Sequence, residues 1–436
     1  MKARGLGRVV HMFGTGVIDQ VLLSGANFLV GFAMIRFTND VDYGQFVLVQ
    51  SAVLLLTSAQ NAWLAPLCAL IPSKPPDVQR AMVGAVEASQ TLFLRKLVAV
   101  AAVVPPIGYL FGAWSGVVAL VSGGGVLAAW AALQREYLRS VLVIYSRPHL
   151  MLRADLIYIG VLLPVIAFAV FETKYHAVWA VVATTLACWA GGVAAYRSFA
   201  ADPGWLAGDA APYWREMRPL AIWSATGAVT YWFLAQSYNY VLATRLDFAA
   251  VLNVNVARMV MVPVIVFTMG INNLLLPVAA NWLAEFGLHR LMRRLAWLTL
   301  GIVALDAIYF AFAWVFRDWL ITNVMHKTIV DRDPLLIMWG CVALIFLFRE
   351  VLQAALFALK RVKSMAWLIG FSAVVSVTTT WFGIRWWGAI AALDGQVAGE
   401  CVNLIGLAVL LWRQSRQVQV ELTFPSDSAP GPPALP

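Results

Sequence analysis

Three ionisable side chains, Asp19, Arg258 and Asp306, sit inside apolar runs where nothing nearby in sequence gives them water. A charge at the centre of a bilayer costs about 2.5 to 3.5 kcal/mol even on lenient insertion scales, so each is expected to face a hydrated cavity or an opposite charge. Arg258 carries the most specific chemistry. A planar guanidinium holds a phosphate through two parallel N–H donors, which the point charge of lysine cannot reproduce. Its other reading is an ion pair with an acid such as Asp19 or Asp306. Gln20, Ser24 and Asn27 follow the i, i+4, i+7 spacing of one helical face. With Asp19 they form a polar stripe suited to line a cleft. Gln396, Glu400 and Asn403 repeat that spacing near the C-terminus, with Asp394 just before them. Arg36 and Arg245 each close a long apolar run, where they anchor a helix end or attract an anion.

The elements that position these residues are membrane spans. The 436 residues are 61% hydrophobic and only 12% charged, far from the roughly 25% charged composition of soluble domains. Apolar segments run near 9–35, 44–71, 90–111, 115–134, 151–171, 176–197, 219–243, 247–277, 295–316, 335–358, 364–383 and 386–411. Each approaches the roughly 20 residues that cross a bilayer as a helix. The basic residues alternate between the connecting segments: 23 of the 31 fall in one alternate set and seven in the other, with Arg258 inside a span. Lys and Arg are retained on the cytoplasmic side, so both termini are expected there. Trp63, Trp114, Trp319, Trp386, Trp387 and Trp412 sit near segment ends, where amphipathic rings straddle the interface.

The formal charge of +9 is spread over short loops without aromatic interleaving, which argues against nucleic acid. Cys68, Cys188, Cys341 and Cys401 lack C-x-x-C spacing and read as buried thiols. No metal site or cofactor is expected. The first apolar run lacks a cleavage site and reads as a retained helix.

The domain plan is an N-terminal half over 1–198, a cytoplasmic connector over 199–218, a C-terminal half over 219–416 and a disordered tail over 417–436. The halves echo one another. Arg36 precedes Pro66 by 30 residues and Arg245 precedes Pro277 by 32, each pair followed by a basic loop and a helix. Tyr175-His-Ala-Val-Trp-Ala180 echoes Trp386-Trp-Gly-Ala-Ile-Ala391. Such repeats suit transporters that expose a central site alternately to each side. Pro66, Pro263 and Pro277 are hinge candidates and Pro105, Pro106 and Pro164 further kink candidates, since proline removes a helical donor. Gly123-Gly-Gly125 and Gly191-Gly192 suit close helix approach.

The N-terminal pattern of Phe13, Gln20, Asn27, Arg36 and Asp42-Tyr-Gly-Gln-Phe46 resembles bacterial polysaccharide and O-antigen flippases of the multidrug/oligosaccharidyl-lipid/polysaccharide (MOP) exporter superfamily. The chain departs from that pattern at Phe248-Ala-Ala-Val-Leu252, where the family often has a Val-Gly-x-Tyr-like turn. The resemblance implies an all-α polytopic membrane protein with about twelve transmembrane helices in two six-helix halves, MOP/MATE-like. It further implies translocation of an undecaprenyl-diphosphate-linked glycan across the bacterial inner membrane by alternating access. Membrane lipid is the expected surrounding, and glycan polymerase or export proteins are the expected partners. No G-x-x-x-x-G-K-[ST] loop occurs, which leaves an ion gradient, a substrate gradient or a partner as the energy source. The alternatives are a multidrug or other small-molecule exporter, or a membrane enzyme or scaffold of glycan assembly. The segment 317–334, with Asp318, His326, Asp331 and Asp333, is where an enzyme would place catalytic groups.

Overall fold

The computed structural model describes residues 2–71, 74–145, 147–171, 174–199, 209–359 and 361–423. In chain order the helices are α1 (Lys2–Phe37), α2 (Asp40–Leu70), α3 (Pro76–Ala101), α4 (Val104–Leu110), α5 (Gly116–Ile144), α6 (Pro148–Phe171), α7 (His176–Arg197), α8 (Ala211–Arg245), α9 (Phe248–Val315), α10 (Arg332–Ala358), α11 (Val362–Trp387) and α12 (Ala391–Thr423). Helices α3 and α4 make one traverse between them, and α9 makes two because Gly287, at φ 73°, breaks its helical path. The result is twelve traverses, so α1 begins and α12 ends at the same face of the bundle. We call this the terminal face and its opposite the distal face. The chain is an all-α polytopic membrane protein.

Short capping devices turn the chain between traverses. Asn39 accepts a hydrogen bond from the Asp42 amide at 2.8 Å, starting α2 two residues after α1 ends. Ser115 and Asp247 cap α5 and α9 in the same way, by accepting from Val118 and Ala250. Such caps satisfy amides that have no partner in the first turn. Gly112 (φ 71°) and Gly388 (φ 54°) supply the left-handed backbone that separates α4 from α5 and α11 from α12. The break after 111 falls where the segment boundaries expect it, whereas the one expected between 383 and 386 lies later: α11 runs through these residues to Trp387 and the path breaks at Gly388.

Several boundaries differ from the sequence expectation. The helix α5 runs ten residues past 134 to Ile144, which takes Arg135 and Arg139 out of a loop and into a helix. Arg349 likewise lies within α10. Pro105 and Pro106 lie in the first turn of α4, where the traverse it shares with α3 is interrupted. α8 begins at Ala211, so the connector is shorter than 199–218, of which 200–208 lie outside the described residues. α12 continues to Thr423, seven residues beyond the expected start of a disordered tail. The remainder of that tail, 424–436, lies outside the described residues.

Among the described residues ten stretches are long and apolar enough to cross a membrane, one of which, Lys363–Gln414, covers both α11 and α12. The helix α8 is not among them. Its polarity has a packing reason: Gln236, Ser237 and Asn239 are buried inside the bundle, and Trp232 and Tyr240 donate to the Ser51 and Leu48 carbonyls of α2 at 2.7 and 2.6 Å. A helix surrounded by protein on several sides needs less apolar surface than one facing lipid.

Helices α1, α2, α5, α6 and α7 pack on one another, as do α8 to α12, and α2 bridges the sets by packing on α8 and α9. The buried apolar residues reveal an asymmetry. One core joins both sets through the middle and distal part, from Met34, Tyr43 and Val47 to Val251, Leu335 and Trp339. Toward the terminal face it gives way to two separate cores, one around Leu67, Met82 and Tyr137 and the other around Leu275, Leu291 and Val351. The bundle is thus sealed distally and divided at its terminal end.

Candidate functional site

A two-lobed cleft lies where the sets meet. The distal lobe, about 340 Å³, takes its polar lining from Ser24 and Asn27 of α1, Tyr43 and Gln50 of α2, and Asn255 and Arg258 of α9. The second lobe, about 260 Å³, lies nearer the terminal face and is walled by Trp232, Trp339 and Phe346 with Gln396 and Glu400 of α12. Leu54, Gln236 and Arg258 belong to both lobes, so the guanidinium stands at their junction. An apolar groove of about 270 Å³ between α1 and α9, lined by Val21, Gly25, Phe28, Val262 and Pro263, continues sideways from the distal lobe.

Arg258 has aromatic but not acidic company. Its Cζ lies 5.7 Å from the Trp339 ring centroid, within cation–π range. Its Nε is buried without a hydrogen-bond partner. Among the described residues no carboxylate pairs with it, which overturns the expected alternative of a pair with Asp19 or Asp306. Gln236 is held beside it through Asn239, whose Nδ2 donates to the Gln236 Oε1 at 3.2 Å and whose Oδ1 accepts from Asn255 at 2.7 Å.

Asp19 is instead engaged elsewhere. One position from Gln20, it points about 100° away from the Ser24 and Asn27 face, is fully buried, and accepts from Arg139 Nη2 at 2.6 Å. Arg139 also donates to Asp155 at 2.9 Å, and Arg135 bonds both Asp155 and Glu136 while lying 4.0 Å over the Tyr158 ring. This cluster binds α1, α5 and α6, so the expectation of Asp19 as a cavity residue is corrected: it is packing glue. A counterpart exists in the other set. Arg349 donates to Glu400 at 2.9 Å, Glu350 at 2.5 Å and Tyr231 at 3.3 Å. Arg135-Glu136 and Arg349-Glu350 are the same dipeptide 214 residues apart, each in the fourth traverse of its set. Arg258 is therefore not alone among basic residues within the bundle, as the loop assignment implied.

At the distal end, Arg36 closes the bundle. It donates to the Val324 carbonyl and meets His326 Nε2 at 2.7 Å, while Lys327 donates to the Thr38 carbonyl at 2.8 Å. These contacts tie the α1–α2 turn to the segment before α10 across the junction of the two sets. Arg245 has a different task, stacking 4.4 Å from the Trp381 ring of α11.

The other expected site residues are dispersed. Gln20 is exposed and reaches Ser24 at 3.4 Å. Asp306 lies outside the cleft, half-buried, with Oδ2 lacking a hydrogen-bond partner. Gln396 and Glu400 do join Arg258 in one lobe. Pro66 is buried in the last turn of α2, Pro263 lines the apolar groove, and the side chain of Pro277 lies outside the described residues. Arg317, Asp318, Arg332 and Asp333 pair with one another near the distal face, so those acids serve as ion-pair partners. Among the described residues no group of three or more His, Cys, Asp or Glu gathers where it would hold a metal ion.

No family model and no curated protein sequence matches the chain. Solved structures match along nearly its whole length. An inward-facing multidrug resistance MATE family transporter of the MOP superfamily superposes with a TM-score of 0.70 at 12% identity, covering 94% of this chain and 96% of that one. The chain has the MATE fold. An outward-facing conformation of a multidrug resistance MATE family transporter gives a TM-score of 0.62 at 12% identity over 96% of each chain. A Vibrio cholerae MATE transporter gives 0.58 at 14% identity, over 94% of this chain and 97% of that one. Within the MATE fold, the sequence had pointed to Arg258, Gln396 and Glu400 but not to Trp232, Trp339 or Gln236. The repeated Arg-Glu dipeptide was the available signal for the buried clusters.

Proposed function

We propose that this protein translocates a lipid-linked oligosaccharide or polysaccharide repeat unit across the bacterial inner membrane by alternating access. The carrying observation is Arg258, a cation that pairs with no acid among the described residues and stands at the junction of both lobes, suited to a diphosphate. The groove between α1 and α9 supports a lipid-borne cargo, because it gives a prenyl chain a route from the cleft to the bilayer while the headgroup stays hydrated. In this reading residues 1–198 and 219–416 are the halves that rock, with both termini cytoplasmic as the charge bias favours. Distal closure and terminal division then describe a cytoplasm-facing state. The higher TM-score against the inward-facing relative agrees with it. An ion gradient drives the cycle, Pro66, Pro263 and Pro277 supply bending points, and glycan polymerase or export proteins act next on the cargo.

A second reading is a multidrug exporter. It is favoured by the multidrug transporters among the structural relatives and by Glu400 beside aromatic walls, a setting that attracts organic cations. Arg349 neutralises that carboxylate in part, and Arg258 opposes a cation in the same cleft. Reconstituted vesicles separate the two. Arg258→Ala is expected to reduce flipping of a prenyl-diphosphate sugar at least about tenfold, the worth of one charge-assisted contact, with membrane abundance unchanged. Wild-type flipping by that variant, or efflux of cationic dye by the native protein without flipping, would sink the glycan reading.

A further inference from the structure

The contacts that close the distal face depend on one histidine being uncharged. The chain leaving the short helical turn Trp319–Val324 folds back at once, with the Lys327 amide donating to the Ile321 carbonyl at 3.1 Å and His326 held at φ 53°. Few residues other than glycine adopt that left-handed backbone, and such outliers gather at functional positions. The fold-back sets His326 and Lys327 side by side against the α1–α2 turn of the other set, where they meet Arg36 and the Thr38 carbonyl.

Arg36 Nη2 lies 2.7 Å from His326 Nε2. A guanidinium only donates, so Nε2 is the accepting nitrogen of a neutral ring. A proton placed on Nε2 turns the acceptor into a donor, and the contact is lost. It also adds a third positive charge beside Arg36 and Lys327, and like charges this close repel. Among the described residues no carboxylate pairs with Arg36, His326 or Lys327 to absorb it.

The other charged groups at this end have work of their own. Asp42 accepts from Asn39 at 3.0 Å and lies 3.5 Å from His176 Nδ1, a contact within the first set that does not cross to the second. Asp247 caps α9, and Arg245 stacks on Trp381. Arg317, Asp318, Arg332 and Asp333 close on one another. Asp40 and Asp331 begin α2 and precede α10, and among the described residues neither makes an ion pair with the three latch groups.

We infer that His326 is the proton site of a distal gate: protonation of Nε2 breaks the Arg36 contact and shifts the molecule toward a distally open state. The closed state holds one proton fewer than the open one, so closure is favoured at higher pH and fades as pH falls. His326 lies outside the apolar stretches, and its proton enters and leaves on the distal side. The site therefore gates the cycle and does not carry an ion across the bilayer. The inference holds whichever cargo occupies the cleft.

The test places spin labels at Val41→Cys and Val330→Cys, two exposed positions on either side of the latch, in the full chain lacking Cys68, Cys188, Cys341 and Cys401. The distance between them is measured in nanodiscs, where both faces share one pH. Lowering the pH from about 8 to about 5, across the ordinary titration of histidine, is expected to raise the ratio of long to short distances at least about fivefold. In His326→Gln the ratio stays low at both pH values, because the glutamine carbonyl accepts from Arg36 without titrating. His326→Asn, which tolerates the left-handed backbone, is likewise indifferent to pH and serves if the first variant is not monodisperse. Arg36→Ala raises the ratio at both pH values, and His176→Gln keeps the native response. A native ratio that ignores pH, or a pH response that survives in the His326 variants, overturns the gate. So does a response abolished by His176→Gln alone, since the proton would then act at the Asp42 contact.

Discussion

Asp155→Ala is expected to be among the most damaging single substitutions in this protein. Asp155 is 2% exposed and accepts from both Arg135 and Arg139, so its loss takes from each buried guanidinium one of its acids, leaving Glu136 to Arg135 and Asp19 with Glu136 to Arg139. Deleting one partner of a buried ion pair costs about 3 to 5 kcal/mol where the remaining charge is left uncompensated, and the acids that stay hold the cost here to the lower end of that range. The expected result is loss of folded protein from the membrane, read as abundance and as the denaturation midpoint of whatever is recovered. Lys74→Ala makes the control. Its partner Glu216 lies in an exposed bridge, with the two side chains 33% and 41% accessible, and such pairs are worth about 0 to 1 kcal/mol. Equal abundance of both variants would show that the cluster does not hold α1, α5 and α6 together.

The second large effect is on conformation. Arg36→Ala combined with Lys327→Ala removes the two charged donors that tie the α1–α2 turn to the segment before α10. Hydrogen bonds involving a charged group contribute about 1.5 to 3 kcal/mol each, and partial exposure reduces this. Losing both shifts the balance toward a distally open state by at least about tenfold. Gln50→Cys, which lines the distal lobe, reports the shift in a background lacking Cys68, Cys188, Cys341 and Cys401. An impermeant thiol reagent added to the distal side is expected to label it at least about tenfold faster in the double variant. Unchanged labelling would mean the apolar core, not the latch, keeps that side shut.

The latch was illegible in the sequence for a physical reason. Arg36 bonds a backbone carbonyl and a histidine almost 300 positions away, and neither kind of partner leaves a pattern in residue types. The helices were legible because lipid imposes length and apolarity on every traverse except α8, which is shielded by its neighbours. Counting positive charges placed Arg135, Arg139 and Arg349 in loops, since such counting registers proximity to a helix end and is blind to compensation. Their compensating acids, Asp155 and Glu400, come from other helices. Arg258 stood out because no acid lies near it in sequence, and in space none among the described residues pairs with it. The walls of its cleft did not stand out, because Trp232 and Trp339 look like any other aromatic residues in an apolar chain.

The polarity of α8 bears on how the protein is made. A helix less apolar than its neighbours gains less from lipid and enters the bilayer less readily as an independent unit during synthesis. Its aromatic donors meet the Ser51 and Leu48 carbonyls of α2, which is complete long before α8 emerges, while its other face awaits α11 and α12. The first half thus acts as a template for the entry of the second, and the same contacts later become part of the wall of the cleft.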